Sequence, residues 1–149
     1  MTPRSAAPGG TYLGFDFGTR RIGVAVGQTA LGTARPLGAV ANGGDGPDWR
    51  AIDALVTEWA PVGVVVGLPL TADGEEQPVA AHARGFLRRL AARSALPGWT
   101  VDERYSSIEA GAALREARAD GRRPRRAAKG ELDALAAAVI LERWLAGEP

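Results

Sequence analysis

The chain has no cysteine, and it has only one histidine, one methionine and one lysine. Without cysteine it can form no disulfide, zinc ribbon or thiol nucleophile, and its composition suits a reducing compartment. A cytoplasmic location is therefore the expectation. With His82 the sole imidazole, a Ser–His pair has little basis, and His82 itself reads as a surface residue beside an apolar helix stripe. No apolar run reaches the roughly 20 residues of a membrane span. Residues 1–10 lack the apolar middle of a secretion signal and read as a disordered lead-in. Residues 11–149 read as one domain, long enough to bury a core without disulfides or structural metal.

Lysine is nearly absent, but positive charge is not. The net charge is only +1, yet it is unevenly placed. Between Arg115 and Lys129 lie seven basic and two acidic residues, so this segment carries +5 and the remainder −4. Such asymmetry points to a polyanion footprint. A solvated arginine-rich loop explains the segment equally well when it is taken alone.

The first third of the chain alternates as strands do. Tyr12–Phe17 and Ile22–Gly27 flank the short connection Gly18-Thr19-Arg20-Arg21 and predict a hairpin. Thr33–Val40 predicts a third strand, which Pro36 places toward an edge. Asn42–Pro47 reads as a loop. Asp48 then caps a helix with Ile52, Leu55, Val56 and Trp59 at helical spacing, ended by Pro61. Val62–Gly67 is continuously apolar and β-branched, as in a parallel strand buried on both faces.

After a loop from Leu68 to about Glu75, Val79, Ala83, Phe86, Leu87 and Leu90 mark a second helix. Pro97-Gly98 precedes a strand ending at Glu103. Ser106 and Glu109 fit a capping box for a further helix, and the last helix carries a stripe of Leu132, Leu135, Ala136, Val139, Ile140 and Trp144. The expectation is an α/β domain with a mixed five-stranded sheet, three antiparallel strands plus two crossover strands, flanked by helices. This order is similar to that of a ribonuclease-H-like domain.

Asp16, Glu103 and Asp133 stand at strand ends or a helix start in three distant segments. Brought together, they would make an oxygen-rich site for hard divalent cations, and two such ions can drive phosphodiester hydrolysis. Taken alone, Asp16 is better explained as a turn former beside glycine. Asp102 points away from Glu103 on an extended strand, so at most one of them enters a site. Glu109 reads as a capping partner, Glu131 as support for the helix dipole, and the four Trp residues as packing groups rather than base-stacking platforms.

Five blocks shift that balance. Gly14-Phe15-Asp16-Phe17-Gly18-Thr19-Arg20-Arg21-Ile22-Gly23-Val24-Ala25-Val26-Gly27 closely resembles the opening motif of the YqgF/RuvX family. These are Holliday-junction-resolvase-like proteins, also described as pre-16S rRNA nucleases. The resemblance continues through Gly32–Leu37, Val65–Gly74, Asp102–Ala110 and Lys129–Ala137, in the family's order and spacing. Tyr105 and Thr71 depart from the usual pattern, but neither removes a carboxylate.

The resemblance implies a ribonuclease-H-like fold with Asp16, Glu103 and Asp133 as catalytic and metal-binding residues for Mg²⁺ or Mn²⁺, two ions being expected. The implied activity is metal-dependent hydrolysis of nucleic-acid phosphodiesters, above all maturation of the 5′ end of precursor 16S rRNA. Arg20, Arg21, Arg104, Arg125, Arg126 and Lys129 are the expected phosphate contacts. The implied partners are nucleic acid, with RNA favoured over DNA, and the ribosomal small-subunit precursor; no membrane is implied.

Resolution of four-way DNA junctions and a catalytically silent nucleic-acid adaptor are the alternatives. Actin-like sugar kinases and ATPases share a Gly-x-Asp-x-Gly-Thr hairpin, but they need two such domains around a nucleotide.

Overall fold

In a computed structural model of the chain, residues 7–69, 78–102 and 129–147 are described. The first hairpin forms as its alternation requires. Strand β1 (Thr11–Phe17) pairs antiparallel with β2 (Arg21–Gln28), and β2 pairs antiparallel with β3 (Ala34–Gly43). Gly18 makes the β1–β2 turn possible, because a Cβ there would lie 2.6 Å from the Arg21 carbonyl oxygen. Pro36 sits in β3 where the register with β2 shifts, opposite Ala25.

The Asn42–Pro47 segment, expected as a loop, is instead a small hairpin. Asn42 and Gly43 pair with a two-residue strand, β4 (Gly46–Pro47), and Gly46 takes the positive φ that the turn requires. All five expected strands are present, and β4 adds a sixth at the β3 edge. Helix α1 (Trp49–Trp59) starts as predicted: the Asp48 side chain accepts a hydrogen bond from the Ala51 N–H at 3.1 Å. It ends two residues before Pro61, with Ala60 in the left-handed conformation.

Strand β5 (Gly63–Leu68) is buried along its whole length and lies parallel between β1 and β6 (Gly98–Asp102). The sheet order is β4-β3-β2-β1-β5-β6. Helix α2 (Val79–Ser94) joins β5 to β6 and buries the expected Ala83, Phe86, Leu87 and Leu90. His82, beside this stripe, is exposed. Among the described residues no helix is long and apolar enough to cross a membrane.

The two faces of the sheet are covered differently. Leu13, Phe15 and Phe17 of β1, with Ile22, Val24 and Val26 of β2, pack under α1 and α2. Tyr12, Ala25, Val65, Trp99 and Val101 pack under the last described helix, α3 (Lys129–Leu145). Tyr12 contacts both Trp99 and Trp144 ring to ring, as packing residues do. Trp49, also expected to pack, stacks on Phe86.

The buried face of α3 differs from the predicted stripe. Ala136, Ile140 and Trp144 of the stripe are buried, together with Ala134, Ala137, Ala138 and Leu141, whereas Leu132 is 38% exposed and Leu135 and Val139 are only half-buried. The cause lies in the strands beneath. A Cβ on Gly14 would stand 2.8 Å from Leu141 Cβ, and one on Gly27 3.0 Å from Leu145 Cδ1. A sheet face made of glycine and alanine draws the helix in close, and such an approach favours alanine over leucine at the contact.

Candidate active site

On β1, strand alternation puts Tyr12, Gly14 and Asp16 on the α3 face. Asp16 lies directly opposite Gly23 of β2. Residues opposed in this way hold their Cβ positions about 4.5–5.5 Å apart on one face. Asp16 is half-buried there.

The position above Gly23 is occupied by α3. A Cβ built on Gly23 would fall 2.0 Å from the Asp133 carbonyl oxygen and 3.0 Å from the Ala134 nitrogen. Only glycine at 23 allows the first turn of α3 to rest on β2, and this close approach brings the Asp133 backbone over the β2 residue that faces Asp16. Two of the three predicted acids, from segments more than a hundred residues apart, therefore converge at one end of the sheet. Glu131 also lies in this first turn, with its Oε2 buried.

Arg21 completes the arrangement. Arg21, Gly23, Ala25 and Gly27 follow one another on the α3 face of β2, and Arg21 Nε donates to Asp133 Oδ2 at 2.7 Å. Its predicted neighbour Arg20 is exposed. The hairpin that carries both is pinned from β3, where Asn42 Nδ2 donates to Gly18 O at 2.6 Å and Asn42 N to Arg20 O at 2.9 Å.

The third acid, Glu103, follows the last described residue of β6 in the sequence. Asp102 is the last described residue of that strand and pairs with Leu68, beside β1. Arg143 of α3 donates from Nη1 to the Asp102 carbonyl at 3.1 Å and ties this strand end to the same helix. Glu103, Arg104, Arg125 and Arg126 lie outside the described residues, as do the loop 70–77 and the capping box of Ser106 and Glu109; so does the side chain of Lys129. Among the described residues no group of three metal-ligating side chains is assembled. Asp16 and Asp133 supply carboxylate oxygens, the donor type that hard cations such as Mg²⁺ and Mn²⁺ take, and so fit such an ion.

Sequence reasoning missed the role of Gly23 and the Arg21–Asp133 pair. The signal for the first was the glycine–alanine alternation of Gly23, Ala25 and Gly27, which matches the alanines of α3.

Known proteins are similar to this chain in sequence and in fold. A protein named "Putative pre-16S rRNA nuclease" from Xanthomonas oryzae pv. oryzae is 55% identical over 140 residues, covering 93% of this chain and 89% of its own. One of the same name from Xanthomonas axonopodis pv. citri is 52% identical over 139 residues, with the same coverage. Among solved structures, Thermus thermophilus RuvC is similar with a TM-score of 0.52 at 18% identity, over 92% of this chain and 95% of that one. RuvC from the same organism in complex with a Holliday junction substrate gives a TM-score of 0.53 at 19% identity, over 92% of this chain and 94% of that one. These likenesses show the fold to be ribonuclease-H-like, as the strand order predicted. The family described as RuvX, Holliday junction resolvase, matches residues 10–147, and the chain belongs to it.

Proposed function

We propose that the chain is a metal-dependent nuclease that hydrolyses nucleic-acid phosphodiesters, with Asp16, Glu103 and Asp133 as its catalytic and metal-binding residues. The observation that carries this reading is the convergence of Asp16 and Asp133 across Gly23. Trp99 and Val101 of β6 belong to the α3 face. Glu103 enters the set through the family resemblance of the segment that begins at Asp102.

Mg²⁺ or Mn²⁺ held by these carboxylates, as a pair of ions in the fullest form, would activate water and offset charge on the departing oxygen. The chain's own residues do the rest. The acids would hold the cations at the sheet end, and Arg20, Arg104, Arg125, Arg126 and Lys129 would contact the phosphates of the substrate backbone. The basic segment after Arg115 supplies the wider footprint.

The substrate favoured is the 5′ end of precursor 16S rRNA, with the ribosomal small-subunit precursor as partner and the cytoplasm as the site of action. The names of relatives 55% identical to this chain support it. The second reading is cleavage of four-way DNA junctions. It draws support from the family's description and from the RuvC complex, whose likeness to this chain is one of fold.

Side-by-side cleavage of single-stranded RNA, precursor 16S rRNA and a synthetic four-way junction, each with Mg²⁺ and with Mn²⁺, separates the readings. Cleavage of the precursor at its 5′ end is the expected result. Cleavage of the junction alone would move the assignment to the second reading, and absence of any metal-dependent cleavage would overturn both.

A further inference from the structure

Arg21 stood among the expected phosphate contacts, yet its Nε points at a carboxylate of the protein. Both ends of that bond are held by backbone that has little room to move. Arg21 opens β2 and is paired with Ala41 of β3, and its neighbour Arg20 is fixed through its carbonyl by Asn42. The Asp133 backbone rests on Gly23, two residues along the same strand face.

The side chains are 37% and 27% exposed. The pair is thus neither a freely swinging surface contact nor a buried one. It also sits two residues along β2 from Gly23, the residue that faces Asp16, so the guanidinium lies on the same end of the sheet as both acids.

We infer that Arg21 is a positioning residue for the metal ligand Asp133: by holding Oδ2 it fixes the plane of the carboxylate and hence the direction in which Oδ1 is presented to a divalent cation. The inference rests on the metal-site reading above. Carboxylates that bind metals are themselves commonly hydrogen-bonded, and loss of such an outer partner typically costs about 10–100-fold in metal affinity or activity. The Nε–H is the guanidinium donor nearest the main chain, so fewer side-chain torsions separate it from the strand than separate the terminal Nη groups. Arg21 on this account acts through Asp133 and does not itself grip the substrate.

The test uses the full chain and two readouts besides turnover. Calorimetric titration with Mn²⁺ alone is run on the wild type, Arg21→Ala, Arg21→Lys and Asp133→Asn. Binding of a single-stranded RNA probe is then measured in metal-free buffer. Arg21→Ala is expected to weaken Mn²⁺ binding by about 10-fold or more, while metal-free RNA affinity stays within about twofold. Arg21→Lys keeps the charge but not the fixed Nε–H, so it should fall between the wild type and the alanine variant. It also serves as the decisive variant should the alanine form fail to fold.

Unchanged or tighter Mn²⁺ binding in Arg21→Ala would overturn the inference, the tighter case making Arg21 a competitor of the cation. Wild-type affinity in Arg21→Lys would overturn it too. A loss of metal-free RNA binding as large as the loss of Mn²⁺ binding would make Arg21 a phosphate contact instead. Wild-type Mn²⁺ affinity in Asp133→Asn would fell the metal-site reading itself. Asp133-dependent binding that ignores Arg21 would fell only the role given to Arg21.

Discussion

The Asp133 carbonyl oxygen fills the space where Gly23 would carry a side chain: a Cβ there would lie 2.0 Å away from it. This contact seats the first turn of α3 on β2, as Gly14 and Gly27 seat its later turns, and brings the Asp133 backbone to the strand end that holds Asp16.

Gly23→Ala is therefore expected to be costly despite adding a single methyl. The clashing atoms belong to the helix backbone, which cannot rotate out of the way as a side chain could. Overpacking of this kind costs about 1–3 kcal/mol, occasionally more, and the absence of a flexible neighbour puts this site at the upper end. In a chain of this size that corresponds to a drop of several degrees in Tm. Thermal unfolding checks the stability and Mn²⁺ titration the site. A variant with the Tm and metal affinity of the wild type would show that α3 does not need this seat.

The three acids should fail together. Asp16→Asn, Glu103→Gln and Asp133→Asn each remove one ligand charge without changing side-chain size, so the fold should persist. Even outer partners of a metal site are worth about 10–100-fold, so loss of a direct ligand should lower cleavage by at least about 100-fold. Turnover close to wild type in any one of the three, with circular dichroism unchanged, would remove that residue from the ligand set.

Metal should stabilise the folded chain. Asp16 and Asp133 are held near one another by the sheet and α3, and their repulsion is relieved when a divalent cation binds. Ligand at about 100 times its Kd adds about 2.7 kcal/mol to folding stability. Tm should rise with millimolar Mn²⁺ in the wild type and rise less in Asp16→Asn. The same rise in both proteins would count against Asp16 as a ligand.

How much of this was open to a reader of the sequence varied with the physics involved. The faces of β1 followed from alternation alone: Leu13, Phe15 and Phe17 on one side, Tyr12, Gly14 and Asp16 on the other. β5 was equally plain, because a run of valines leaves few alternatives. The α3 face was misjudged at Leu132 and Leu135, though not at Ala136, Ile140 and Trp144, because apolar size ranks those leucines above Ala134 and Ala137, while the glycines beneath the helix reward small residues. The hairpin at Asn42–Pro47 was hidden for a different reason: glycine and proline carry no alternation to read. The Arg21–Asp133 bond joins residues 112 apart, and nothing local to either announces the other. Glu103 was singled out by the family resemblance and lies beyond the described end of β6.

The basic segment should govern affinity more than chemistry, a prediction that stands on charge and not on the described structure. Arg122, Arg123, Arg125 and Arg126 lie within a stretch carrying +5 in a chain whose remainder carries −4. Each phosphate contact on a single strand contributes about 0.7 to the slope of log affinity against log salt. Neutralising all four should therefore weaken RNA binding and flatten that slope by up to about 3, while turnover at saturating substrate falls far less. Lys129 opens α3, one turn before Asp133, so its loss should lower the rate as well as the affinity. Binding across a salt series, with kcat and KM measured separately, distinguishes the two effects. An unchanged slope in the four-arginine variant would mean that the segment is a solvated loop, and that the footprint must be sought elsewhere on the surface.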